Sequence, residues 1–324
     1  FGYWGFLIWG FYFLTCFYFC VIEPKVKFFE IPWVKFLNNV VIIGTCAFTA
    51  YLLLSNLPWY LPELGDGSNV IPEFYLIVLA AICFAVYSST DIKYVRFLSI
   101  ATTWLFIALI GFMWADAFLF GDSELSAFTK NIGLIGNYFA NINEFVLPLN
   151  DYHEFYLFWW FAWSIMIGQF TSRFVGGLKT YQVLGAMLIF PSIPIAIWFS
   201  VLYHYHEAGI PTAGIKNFAM VFVGIVFVIN SLDSLIRLYT DNLNLTVKRF
   251  GKFKYIAMNV VALSLLTLLF KLEFLQIQWV GALVIGLFFI CIGFIAYSKL
   301  KTVSNIEGSP KANKIDYTKI ETIS

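Results

Sequence analysis

Three tryptophans, Trp159, Trp160 and Trp163, stand in the run Phe155-Tyr156-Leu157-Phe158-Trp159-Trp160-Phe161-Ala162-Trp163, and no charge occurs from Phe155 to Thr171. On a helix of 3.6 residues per turn, Trp159, Trp163 and Trp160 fall at about 0°, 40° and 100°, so the indoles share one face. Such a face suits a quaternary ammonium. A trimethylammonium group has no N–H to donate and is held by cation–π contact, about 0.5–1 kcal/mol per ring at exposed sites and 2 or more when dry. Several rings must therefore converge. Trp4, Tyr12 and Trp9 fall at about 0°, 80° and 140° on the same geometry, a second aromatic face able to oppose the first. The other reading of these tryptophans is an interfacial belt or plain helix packing.

Charge inside the apolar segments is rare. Asp233 and Arg237 are spaced i,i+4 and can share one helix face, either as a gate or coupling pair or as a structural pair that shields both charges. His204-Tyr205-His206 lacks a third ligand nearby, and His153 stands apart, so no metal site is expected. No phosphate loop, nucleophile elbow or carboxylate pair at catalytic spacing occurs, so neither an enzyme nor catalytic residues are expected.

The elements that position these residues follow from composition. With 60% hydrophobic, 20% aromatic and 12% charged residues and a mean hydropathy of +0.81, the 324 residues describe an all-α polytopic membrane protein rather than a soluble core. Nine apolar segments approach the ~20 residues that a bilayer requires: 4–22, 38–57, 72–88, 97–118, 154–172, 180–203, 217–238, 255–270 and 278–296. Alternate connections and the tail hold 17 of the 20 Lys and Arg, the others only Lys130, Lys216 and Lys271. By the positive-inside rule residue 1 lies outside and the tail inside a plasma or inner membrane. The net charge of +1 includes no basic patch, so nucleic acid is not a partner, whereas membrane lipids are.

Between the fourth and fifth segments, 119–153 has apolar residues at helical spacing and reads as an amphipathic helix on the outer interface. Residues 1–298 form one transmembrane domain, and 299–324 a polar, mobile cytoplasmic tail. Cys16, Cys20, Cys46, Cys83 and Cys291 lie in apolar segments and read as small buried hydrophobes. The chain opens on Phe1 inside an apolar run, and a longer precursor is expected.

Several motifs in order resemble the betaine/carnitine/choline transporter family. The Phe155-to-Trp163 run with Gly168, Phe170 and Arg173 looks like its tryptophan-rich helix. Trp4-Gly5-Phe6-Leu7-Ile8-Trp9-Gly10-Phe11-Tyr12, Gly136-Asn137-Tyr138, Phe190-Pro191, Trp198-Phe199-Ser200 and Asn230-Ser231-Leu232-Asp233-Ser234 resemble others. The resemblance covers the family's fourth to twelfth helices and implies an inverted-repeat, sodium-coupled amine transporter-like helix bundle with substrate near the midplane. It assigns Trp4, Trp9, Tyr12, Trp159, Trp160 and Trp163 to the substrate site, and Phe227 (through its backbone), Asn230 and Ser231 to a sodium site. Asn230 stands where the family usually has Thr, and Ile165 where proline commonly follows the tryptophan run.

The function implied is secondary transport of a quaternary ammonium compound or zwitterion of the betaine, choline or carnitine type, with sodium or proton coupling and no cofactor beyond a sodium ion. The first three helices fall to a longer precursor, to a second chain or to neither, and that second chain and a homotrimer are the partners the resemblance leaves open. The alternative is a transport-incompetent homologue acting as a structural subunit of a larger membrane complex.

Overall fold

The computed structural model describes residues 2, 4–145 and 151–306, with the backbone alone for 151–153, and these residues are helical with no strand. Each expected apolar segment falls on a helix. The first is α1 (Phe6–Phe17), a π turn (Tyr18–Ile22) and α2 (Glu23–Val26) in line. Then follow α3 (Pro32–Tyr60), α4 (Pro72–Ser88), α5 (Ile92–Phe118), the short α6 (Leu125–Gly133) and α7 (Ile135–Ala140), and α8 (Asp151–Ser172). The chain continues as α9 (Thr180–Glu207), α10 (Ile215–Asn242), the short α11 (Val247–Phe250), α12 (Lys252–Lys271), α13 (Ile277–Phe294) and α14 (Leu300–Ser304). Seven continuous helices among the described residues are long and apolar enough to cross a membrane, and α4 is a shorter apolar helix of 17 residues. The chain is thus an all-α, multi-pass membrane protein.

Local chemistry sets the boundaries. Pro32 and Pro72 open α3 and α4 at first-turn positions where no N–H is missed. Asp91 caps α5, its carboxylate accepting from the Lys93 N–H at 2.9 Å. Gly214 (φ 72°) and Gly251 (φ 76°) lead into α10 and α12 through left-handed backbone that a side chain would strain. The expected interfacial helix is divided: α6 ends at Gly133 and α7 begins at Ile135. The expected tail starts inside structure, because a second π turn (Ile295–Lys299) and α14 continue to Ser304; residues 307–324 lie outside the described residues.

The core sits on α3. Of its most apolar window 61% is buried, against 28% or less in the other six spans, so α3 is the post around which the bundle packs. It contacts α10, α12 and α13, while α10 contacts α4 and α5 as well as α3. Exchanging α3 with α10, α4 with α12, α5 with α13 and α1 with α9 maps these contacts onto one another, including α4–α12 and α1–α9. Under that exchange α8, which packs between α1 and α13, has no counterpart among the described residues.

Candidate functional site

Two small residues bring the aromatic helix close to its neighbours. A Cβ on Gly168 of α8 would lie 2.8 Å from the Thr15 carbonyl carbon and hydroxyl of α1. One on Gly281 of α13 would lie 2.6 Å from the Phe158 ring and 2.7 Å from its carbonyl oxygen. With backbones this near, hydrogen bonds cross the seam: Thr15 Oγ1 donates to the Ser164 carbonyl at 2.9 Å and Tyr12 Oη to the Trp160 carbonyl at 3.3 Å. The start of α1 is held from α7, where the Leu7 N–H donates to Tyr138 Oη at 3.0 Å.

This seam gathers the six aromatic residues singled out from the sequence. Trp4 meets Trp160 edge to face at 4.9 Å between centroids and Trp159 at 5.5 Å. Trp159 and Trp160 stack at 5.0 Å; Tyr12 lies 6.1 Å from Trp160 and 5.6 Å from Trp9. Trp163 packs on the cluster of Tyr12, Cys16, Val183 and Met187. Trp9 Nε1 donates to the Trp4 carbonyl at 3.1 Å. The indole nitrogens of Trp159, Trp160 and Trp163 are buried with no hydrogen-bond partner among the described residues. In hydrocarbon each such donor is costly, so three on one helix face make a surface suited to oxygen acceptors as well as to cations. At these separations the rings touch one another and occupy the seam themselves.

The residues assigned to an ion lie elsewhere on α10. Asn230 Oδ1 accepts from Ser99 Oγ of α5 at 2.9 Å, and the Phe227 ring meets Phe106 edge to face at 5.4 Å. Ser231 follows Asn230 on the same helix, half-buried. The Asn230 oxygen is thereby turned to α5, while the indoles lie on α8, on α1 and, for Trp4, just before α1.

Asp233 and Arg237 take different partners. The Asp233 carboxylate is fully buried and accepts from Ser88 Oγ at 2.6 Å and from Ser234 Oγ at 3.1 Å. Arg237 Nε donates to Asp241 Oδ2 at 3.3 Å, and its terminal nitrogen to the Ser89 carbonyl at 3.4 Å. Arg173, beyond α8, reaches the same Asp241 oxygen at 3.7 Å. Tyr255 Oη of α12 bonds Ser89 Oγ at 2.9 Å and Thr240 Oγ1 at 3.2 Å, and Tyr239 donates to Asn259. The sequence reading passed over Asp241. The signal existed, since Arg237 and Asp241 are also i,i+4, but depth in the bundle decides which carboxylate the guanidinium meets. His204 is buried, its Nε2 2.7 Å from Ser123 Oγ, and no group of three metal-capable side chains occurs among the described residues.

No protein-family model matches the chain. Over 140 residues it is 25% identical to glycine betaine transporter 1 of Vibrio parahaemolyticus, a stretch taking in 43% of this chain and 26% of that protein. A 76-residue stretch is 28% identical to an uncharacterised transporter of Mycobacterium tuberculosis, covering 21% of this chain and 13% of that one, and likewise to one of Mycobacterium bovis. The similarity spans about a quarter or less of these relatives' length, and it is to proteins named as transporters.

Proposed function

We propose that this chain is the substrate-bearing part of a secondary transporter for a quaternary ammonium zwitterion of the betaine type, of the betaine/carnitine/choline transporter kind. The observation that carries the reading is the conjunction, on α8, of clustered indole faces with three buried indole N–H groups that have no acceptor among the described residues. A trimethylammonium takes the faces and a carboxylate takes the N–H groups, so one zwitterion answers both. The name of the Vibrio relative agrees with that class. The exchange pattern of helix contacts agrees with two repeats, in which α8 has no counterpart among the described residues; their opposite orientation belongs to the proposal. Sodium coupling through Phe227, Asn230 and Ser231 belongs to the proposal. So do Asp233 and Arg237 as coupling elements, the homotrimer, and the placement of residue 1 outside and the tail inside.

The second reading, a structural subunit that no longer transports, is favoured by one observation: the rings of Trp4, Trp159 and Trp160 already touch, which packing alone explains. Thermal-shift titration of the purified protein with glycine betaine, choline and carnitine, each in sodium and in potassium, separates the two. A saturable rise of Tm, lost in Trp160→Ala, supports the transporter; no shift with any solute, in folded protein, leaves the subunit.

A further inference from the structure

We propose that Cys16 and Cys20 form a hydroperoxide-sensitive dithiol, in which Cys20 is the thiol that reacts and Cys16 the one that closes a disulfide on it. The sequence reads both as small buried hydrophobes, and the structure separates them. Cys16 is buried, Cys20 is exposed, and their sulfurs stand 4.0 Å apart across one turn of the first apolar segment. Cys20 comes three residues before Glu23, where the apolar run gives way to charge. Oxidation of a thiol follows its access, so Cys20 meets an oxidant first and Cys16 is held behind it. The other cysteines lack this arrangement. Cys46 is fully buried, the Cys291 thiol donates to Tyr18 Oη at 3.2 Å, and Cys83, exposed on α4, has no second thiol beside it among the described residues.

The chemistry balances on the two thiols and the hydroperoxide. The Cys20 thiolate attacks the outer peroxide oxygen, the O–O bond breaks, and an alcohol or water leaves with the proton that Cys20 gave up. The sulfur is now a sulfenic acid. The Cys16 sulfur attacks it, the S–S bond forms as the S–O bond breaks, and water leaves with the Cys16 proton. Two electrons pass from the thiol pair to the peroxide. Four residues of helix advance about 6 Å, inside the span of about 4.4–6.8 Å that a disulfide accepts between Cα atoms. The Cβ atoms of such a pair lie about 5–6 Å apart in a regular helix, against about 3.8 Å in a disulfide, so the turn must tighten. Cys20 lies within the π turn Tyr18–Ile22, where the backbone has left α spacing and has room to do so. The bond is strained and readily reduced again, as a reversible modification requires. Its effect reaches the aromatic seam, because Thr15, beside Cys16, is the residue that faces Gly168 and bonds the Ser164 carbonyl.

Treatment of the full chain in lipid nanodiscs with hydrogen peroxide, followed by alkylation and peptide mass mapping, tests this. The peptide holding residues 16–20, whose only thiols are Cys16 and Cys20, should lose the mass of two hydrogens and both alkylation sites, and dithiothreitol should restore them. In Cys16→Ser, Cys20 should stop at the sulfenic acid and be trapped by dimedone; in Cys20→Ser, Cys16 should stay a free thiol. The proposal is overturned if that peptide keeps both thiols in folded parent protein, if Cys20 stops at the sulfenic acid in the parent as well, or if Cys20 bridges to a second chain instead. The parent's peptide decides the question whether or not the variants fold. Neither solute binding nor transport is read, so the outcome is independent of the function proposed above.

Discussion

Two regions of the bundle solve the problem of a dry interior in opposite ways. The seam between α1 and α8 is held by ring edges on ring faces, by close backbone approach and by two hydrogen bonds to carbonyls, with the indole donors of α8 unmatched among the described residues. The junction of α10 with α4 and α12 is held by matched polar groups: Asp233 with Ser88, Tyr239 with Asn259, Arg237 with Asp241, and Tyr255 with Ser89 and Thr240. In a medium without water the matched region is finished, because each bond answers a group that would otherwise be costly. The unmatched region is unfinished in that sense. A site for a soluble molecule belongs in the second kind of region and a fixed joint in the first.

The comparison can be broken by substitution. The largest loss is expected from Trp160→Ala, which removes contacts to Trp4, Tyr12 and Trp159 and should cost about 3–5 kcal/mol of stability, read from the midpoint of unfolding in mixed micelles. Saturating glycine betaine should raise the parent's midpoint and leave the variant's unmoved; a rise in both would show that the seam's rings are not where the solute binds. Next is Asp241→Ala, which takes from Arg237 and Arg173 the carboxylate they share and should cost about 2–3 kcal/mol, below the fully buried case because the pair is partly exposed. Here the solute-induced rise should persist in full, because this joint is remote in kind from the seam.

Smaller effects sharpen the contrast. Asn259→Leu strands the buried Tyr239 hydroxyl and should cost about 2 kcal/mol, while adding Tyr239→Phe should recover most of it, since an unmade bond costs more than an absent one. A double variant as unstable as the sum of the two singles would mean that the region is held by shape rather than by matching. The smallest effect, about 1 kcal/mol, is expected for Ser99→Ala, which frees the Asn230 oxygen. Sodium-dependent stabilisation that grows in this variant would mean that Ser99 competes with the ion; an unchanged response would set Asn230 aside as a ligand.

Much of the architecture is legible in the sequence, because the length of an apolar run is a direct consequence of bilayer thickness. All nine expected runs fall on helices, and the indole face of α8 follows from 3.6 residues per turn. The runs are nevertheless shorter than the helices. Pro32–Tyr60 extends six residues before 38 because Pro at a helix start is no obstacle, and it continues through Pro58 in its last turn. Partners far apart in sequence are what spacing cannot reveal. Nothing local to Asp233 points to Ser88, 145 residues away, and the i,i+4 rule offers Arg237 two carboxylates without choosing. That the rings of α1 touch those of α8 is equally a matter of tertiary approach, permitted by Gly168.

That approach has a mechanical consequence. With Gly168 seated on Thr15 and Gly281 on Phe158, α1, α8 and α13 have no slack in which to slide and would travel as one block. In the proposed transporter the indoles would then sit in the interior of a moving part rather than along its edge. A solute would reach them by the turning of a ring, not by the parting of helices, and the bulk of Trp4 would set how long it stays.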